Sequence, residues 1–553
     1  MESKIENLEP KKVFKYFADI CKIPHGSGNI DGVVNYLVDF AKSHNLKYIV
    51  DDAKNVIIYS RKRDSVVPCR GEACEPAENR RGEHCEPVIL QAHTDMVCVN
   101  DSNSSKDLSK DPLDIYVDGN YLRAKGTSLG ADDGIGVAII LSILDDADDK
   151  FPPIEALFTS DEENGMNGAL AVDGSLFKGK KLINLDSETE GELTVSCAGG
   201  TQYLSEIPIT REDLACCRGR HSVVPCRGEA CEPAENRRCE HCEPDYKKYT
   251  IKISGLLGGH SGMEIHQGRA NAIIEVANVL KSMEEENIDF YLVSIDAGKF
   301  DNVICPEAGC HVLINSNDEN KFKNLISKLD ADLKYEYQLT DKNITLKAQP
   351  VGDDILSSLG RTKCPPLHHI FENNSVGAST TSPIDKNSTQ KIIDILITIP
   401  QGLIEISQEF INIPWTSLNL GVIKTENDKI VLSGLIRSNN DFKRLKLVRK
   451  FETIIKNAGG KFFDKGHYPA WEYNKNSKLK EDILKAYKNA YGRDMEVVAT
   501  HGGLESGLFI EKIKGLEVVS IGPTMEGVHS VDEKLHIDSV GTLYSFLIEF
   551  LKS

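Results

Sequence analysis

A chain of 553 residues is too long for one hydrophobic core, so two or more domains are expected. Hydrophobic residues at 40% and charged residues at 27% exclude a disordered or fibrous protein, and 65 basic against 84 acidic residues leave a net charge of −19 that repels nucleic-acid phosphates and anionic membranes. The charged N-terminus has no secretory pattern, and no window reaches the roughly 18 apolar residues of a membrane span; the fifteen cysteines are therefore expected in a reducing cytoplasm rather than in disulfides.

Glu9-Pro10 opens an amphipathic helix towards Cys21, and after the Pro24-His25-Gly26-Ser27-Gly28 break a second helix is expected over 33–43. Residues 54–60 read as a strand. The strand at Val88 should follow closely, yet residues 65–87 intervene, and they recur at 222–244 with Cys239 in place of Gly82. A copy at two separate places is not a stacked repeat, so both are read as loop insertions. The second copy carries Cys226, Cys231, Cys239 and Cys242; four thiolates are a zinc set, but the first spacing is loose for a ribbon.

Val88 to Val97 is an apolar run that presents His93 and Asp95, two apart and hence on one face of a strand. Ser128 to Gly136 places Asp132 and Asp133 in a Gly-rich turn before an apolar helix over 134–144. Strands over 154–160 and 182–185 end on Glu162-Glu163 and Asp186, and far downstream His529 supplies a second imidazole. Carboxylates at strand ends with two histidines suit a two-metal site of oxygen and nitrogen donors. Alternating strands and helices to residue 190 indicate a mainly parallel sheet with helices on both faces.

From about Ser196 the pattern turns strand-rich. Residues 249–254, a helix over 270–283, then 291–296 and 310–316 suggest one α/β layer. A helix over 318–329, strands at 335–339 and 344–348, and the segments 392–399, 417–424, 431–437 and 442–457 suggest a second. Residues 363–387, polar and rich in Pro and Ser, read as a further loop insertion. Tyr468-Pro469-Ala470-Trp471 marks the return to the first domain, with a helix over 479–491, strands over 495–500 and 516–521, and a closing helix over 540–551.

The order His93-x-Asp95, Asp132, Glu162-Glu163, Asp186 and His529 resembles the M20 family of dinuclear zinc peptidases. The segments Gly255-Leu-Leu-Gly-Gly-His-Ser-Gly262, Gly268-Arg-Ala-Asn-Ala272 and His501-Gly-Gly-Leu-Glu505 resemble its aminoacyl-histidine (Xaa-His, carnosine-type) dipeptidase branch. The resemblance implies an α/β fold: a split catalytic domain, 1–196 with 466–553, and an inserted α+β lid domain, 197–465, of two tandem layers. It implies two divalent metal ions, zinc first with cobalt or manganese as alternatives. His93 and Asp186 would hold one, Glu163 and His529 the other, with Asp132 bridging and a cis peptide at Asp132-Asp133.

By the same resemblance Glu162 is the general base, Asp95 orients His93, and His260 stabilises the oxyanion. Asn302, Arg437 and Gly503 contact a small peptide substrate, Arg437 through a C-terminal carboxylate. The expected protein is a cytoplasmic metallo-dipeptidase, monomeric or homodimeric. An aminoacylase, a tripeptidase or a catalytically impaired metal-binding homologue are the alternatives.

Overall fold

A computed structural model describes residues 5, 7–60, 86–102, 104–147, 151–212, 246–351 and 382–553. Both copies of the inserted repeat, apart from Glu86 and Pro87, and most of 363–387 lie outside the described residues. The chain divides into two compact units, Met1–Gly199 with Tyr468–Ser553, and Gly200–His467. Among the described residues no helix is long and apolar enough to cross a membrane.

The first unit opens with helices α1 (Lys11–Ile20) and α2 (Asp31–Ser43), which bury Val13, Phe14 and Phe17, and Val33, Leu37 and Phe40, at helical spacing. Strands β1 (Lys47–Val50), β2 (Val56–Tyr59) and β3 (Val88–His93) follow, then a hairpin of β4 (Ile115–Asp118) and β5 (Tyr121–Ala124). Helix α3 (Ala131–Asp146) is buried on every side up to Leu144, as an all-apolar helix must be. Asp132 and Asp133 at its start have non-helical backbone angles and a cis peptide between them, so the regular helix begins at Gly134. Strand β6 (Ile154–Thr159), the short helix α4 (Asn167–Ala171), β7 (Lys181–Asn184) and β8 (Glu192–Thr194) complete this segment.

The second unit is built on β9 (Gly199–Pro208), β10 (Tyr246–Ser254), β11 (Phe290–Ala297), β12 (Ala308–Asn315), β13 (Thr345–Pro350), β14 (Gly402–Ile406), β15 (Pro414–Thr425), β16 (Lys429–Ser438) and β17 (Lys461–Tyr468). Its helices are α5 (Ala272–Glu285), α6 (Glu319–Glu336), α7 (Lys386–Thr398) and α8 (Asp441–Asn457). The two expected tandem layers are two halves of one nine-stranded sheet, ordered β13-β10-β12-β11-β15-β16-β9-β17 with β14 on β15. They join where Ala297 of β11 pairs with Ile423 of β15. One core draws on all four helices, through Val276, Phe322, Ile392 and Phe451. The strand expected over 335–339 is instead the last turn of α6 and the turn after it, with Tyr335 and Leu339 exposed; α6 extends because Leu333 is still buried on its inner face.

The chain returns through α9 (Lys478–Tyr491), β18 (Glu496–Val498), α10 (Ser506–Lys512), β19 (Glu517–Ser520), a hairpin of β20 (Met525–Glu526) and β21 (Lys534–His536), and α11 (Ile537–Lys552). The main sheet runs β1-β2-β6-β3-β7-β19-β8-β18, with β6, β3, β7 and β19 mutually parallel. A small sheet that the sequence patterns did not suggest, β20-β21-β5-β4, brings the C-terminal hairpin beside the strand leading to α3.

Candidate metal centre

In the parallel block His93 is in register with Thr159, and Gln91 with Asn184. Three strands therefore end together, and the residues just beyond them, Glu162 and Glu163 after β6 and Asp186 after β7, gather around His93 at the carboxyl edge. That edge is where open α/β sheets bind ligands. Asp132 arrives from the α3 lead-in and His529 from the β20–β21 loop. The two oxygens of Asp132 face different imidazoles: Oδ1 is 3.1 Å from Nε2 of His93, and Oδ2 is 3.2 Å from Nε2 of His529. Asp186 Oδ1 lies 3.7 Å from His93 Nε2, and Glu163 Oε1 lies 2.8 Å from His529 Nε2.

Three groups have ligand atoms within 4.8 Å of one another: His93, Asp132 and Asp186; Asp132, Glu163 and His529; and His93, Glu162 and Glu163. The first two share Asp132, the arrangement expected for a bridging ligand. Donors of nitrogen and oxygen with no thiolate suit zinc, cobalt or manganese.

The charges test that fit. Burial raises the proton affinity of Asp186 well above the carboxylate range, and the neighbouring charge of Asp132 adds to it. Burial does the same to Glu162, with Glu163, Glu505 and Asp132 adding. Burial disfavours the imidazolium of His529, but Asp132 and Glu163 outweigh it and push its pKa to about 11. His93 is likewise raised, against its burial, by Asp132, Asp95 and Asp186. The cluster favours positive charge, and among the described residues His93 and His529 are raised towards carrying it as protons. Divalent cations would supply it while displacing those protons.

Asp95 lies against His93 and also against the turn that follows β6. Nδ1 of His93 is 2.9 Å from the backbone oxygen of Asp95, whereas its carboxylate Oδ1 is 3.7 Å away. The carboxylate accepts the backbone N–H groups of Glu162 at 2.9 Å and Glu163 at 3.3 Å, and the Ser27 hydroxyl at 2.7 Å. Asp95 thus holds the His93 tautomer through its main chain, and its side chain shapes the turn that carries both glutamates.

Gly503 packs where a Cβ would fall 2.8 Å from Met166 Cε and 2.9 Å from the Tyr468 ring, so no larger residue fits unmoved. In the second unit His260, Asn302 and Arg437 form one cluster. The Asn302 carbonyl accepts Ser261 N–H at 2.8 Å, His260 forms an antiparallel bridge with Val303, and Arg437 Nη2 lies 3.5 Å from His260 Nε2. The motif glycines are explained by the Arg269 fork: it donates to the Gly258 carbonyl and pairs with Glu264, and a Cβ on Gly259 would strike its Nη1 at 2.3 Å.

Three residues around the centre had no role in the sequence reading. Ser27 reaches Asp95 from the N-terminal loop. Glu505, fully buried, accepts from Gln91 Nε2 and Thr159 Oγ1 at 2.6 Å each, tying β3 to β6. Glu533 receives a cluster of backbone N–H groups before α3. Ser27 and Glu505 work through side-chain bonds and Glu533 through main-chain groups; Glu505 closes the His501–Glu505 motif and Glu533 lies four residues after His529, the sequence clues that were available.

A split α/β unit interrupted by a second unit gathers histidine and carboxylate side chains at its strand ends, a donor set that suits a metal-dependent hydrolase. The profile of peptidase family M20/M25/M40 matches residues 89–553, and the chain belongs to that family. It is 31% identical over 550 residues to the cytosol non-specific dipeptidase of Escherichia coli (strain K12), covering 100% of this chain and 99% of the relative. The crystal structure of aminoacylhistidine dipeptidase from Vibrio alginolyticus superposes with a TM-score of 0.74 at 30% identity, covering 100% of this chain and 99% of that one.

Proposed function

We propose that this protein is a cytosolic, two-metal dipeptidase that favours Xaa-His substrates, with His93, Asp132, Asp186, Glu163 and His529 as its metal ligands. The observation that carries the reading is Asp132, which turns one oxygen to each imidazole. The metal ions, when bound, supply Lewis-acid polarisation of the scissile carbonyl and acidify the attacking water.

The chain's own groups do the rest. Glu162, half-buried among like charges, has a raised proton affinity and accepts the proton of the attacking water. The same carboxyl then delivers that proton to the amine nitrogen as the C–N bond breaks. Asp95 fixes the backbone from which Glu162 projects, so the base is held in place before substrate arrives. Arg437 offers a guanidinium for a substrate carboxylate, His260 an imidazole for the carbonyl oxygen as it gains charge, and Asn302 an exposed amide for the peptide.

The test is a zinc-loaded preparation given Xaa-His dipeptides, other dipeptides, a tripeptide and an N-acyl amino acid, with metal counted in the same sample. Two equivalents per chain and fastest cleavage of Xaa-His dipeptides are expected. Preferential cleavage of the tripeptide or the N-acyl amino acid would transfer the assignment to the corresponding activity, and a loaded but inert protein would end the catalytic reading.

A further inference from the structure

The backbone N–H groups of the turn that leads into α3 lie ahead of the regular helix, which begins only at Gly134, and need acceptors of their own. Those groups are taken by a residue about 400 positions further along. Glu533 Oε2 accepts from Leu129 N at 2.7 Å and Gly130 N at 3.1 Å, while Oε1 accepts from Ala131 N at 2.8 Å and lies 3.5 Å from Asp132 N. The side chain is only 3% exposed, so these bonds are sheltered from water.

The route by which Glu533 gets there is part of the argument. Lys534, the next residue, pairs with Arg123 of β5, and β5 runs directly into the loop that ends at Ala131. On its other side Glu533 closes the β20–β21 loop that carries His529, within which Ser530 bonds back to Gly527 at 2.6 Å and Glu533 N–H reaches the Ser530 carbonyl at 3.3 Å. One carboxylate therefore grips the segment delivering Asp132 and belongs to the segment delivering His529.

We propose that Glu533 is a positioning residue for the metal centre: by binding the turn before α3 from the C-terminal hairpin it sets the Asp132–His529 contact on which both metal positions depend. This rests on the ligand assignment above. A glutamine at 533 keeps the shape but only one acceptor oxygen, so its amide NH2 faces one pair of backbone donors and leaves them unsatisfied. Residues that orient metal ligands from behind typically account for about 10–100-fold in metal affinity.

The experiment is zinc titration of the full-length metal-free chain against a chromophoric chelator, on wild type, Glu533→Gln, Glu533→Asp and Tyr544→Phe. Tyr544 contacts the far end of α3 through Ser142 and Asp146, so its variant perturbs the same helix away from the metals. Wild type should take two zinc ions. Glu533→Gln should bind at least tenfold more weakly, Glu533→Asp should fall between the two, and Tyr544→Phe should bind like wild type. If Glu533→Gln does not fold, the Asp variant decides by the same comparison. Affinities within twofold of wild type in the folded Glu533 variants, or an equal loss in Tyr544→Phe, would overturn the positioning role and leave the ligand assignment standing. A wild-type chain that takes no zinc would overturn both.

Discussion

Replacing Glu162 with glutamine separates the two jobs that a pair of adjacent glutamates can share. The side chain keeps its length and shape. The backbone N–H of residue 162 still reaches Asp95 Oδ1, that of residue 163 still reaches Oδ2, and the carbonyl of 162 still accepts from Met166 N at 2.8 Å. The turn that presents Glu163 to His529 is therefore preserved, and with it both metal groups that contain Asp132. What disappears is a carboxylate able to hold a proton. A positioned general base contributes about 10²–10⁴-fold in rate, or about 3–5.5 kcal/mol of barrier at about 1.4 kcal/mol per tenfold. The assay pairs kcat/KM on one Xaa-His dipeptide with metal content by mass spectrometry. We expect a fall of that size at full metal occupancy. Because Glu162 also belongs to a third potential ligand group with His93 and Glu163, the contrary outcome is well defined: loss of one metal equivalent with turnover largely retained makes Glu162 a ligand and Glu163 the base.

Asp132→Ala removes the oxygens facing His93 and His529, so activity should vanish along with at least one tightly held metal ion; wild-type metal content in the variant would refute the bridging role. Excising residues 65–87 should leave fold and metal content intact. Ser60 N–H bonds the Ile154 carbonyl and Val88 N–H the Pro153 carbonyl, so the ends flank a single strand about 10 Å apart. The four residues left between them can span about 16 Å, and unfolding or metal loss would show the segment to be structural. Excising residues 222–244 should be equally silent by the same two measurements. On the surface of the second unit, Glu319 is held by Lys247, Lys323 and Tyr249, which lower its pKa from 4.5 to about 2. A depressed carboxylate contributes stability above its unfolded pKa. The advantage of wild type over Glu319→Gln in urea melts should therefore be whole at pH 6 and shrink as pH falls below about 4.5; an advantage independent of pH would refute the ionic origin.

What the sequence made legible is what burial writes into residue type. Parallel strands covered on both faces read as unbroken apolar runs, so β3 and β6 could be seen together with the polar residues that end them. Candidate metal donors could be picked out at those ends, while which ion each would hold came only from the family resemblance. The continuity of the second unit's sheet was not legible, because its two halves meet at the Ala297–Ile423 pairing and nothing in either strand's pattern marks it. Strands as short as β20 and β21 carry no periodicity, so the small sheet beside α3 went unseen. The main-chain partners of the Asp95 carboxylate were hidden for another reason: they are backbone N–H groups, which every residue possesses.

The placement of β19 also has a consequence for how the chain is made. In the finished sheet it lies between β7 and β8, both of which are synthesised before the whole second unit, while β19 is synthesised after it. From the time β8 leaves the ribosome, the first segment carries a vacant slot along the outer edge of β7, and β8 has no sheet neighbour until β18 and β19 follow the second unit; Leu182, Ile183 and Leu193 are fully buried in the finished sheet. At about 5–20 residues per second, the roughly 300 intervening residues keep that slot open for roughly 15–60 s. A bare apolar strand edge is a template for pairing with another chain. The interval before Glu517–Ser520 emerges is therefore when nascent chains are most exposed to aggregation, and when a chaperone bound to the first segment would protect them most.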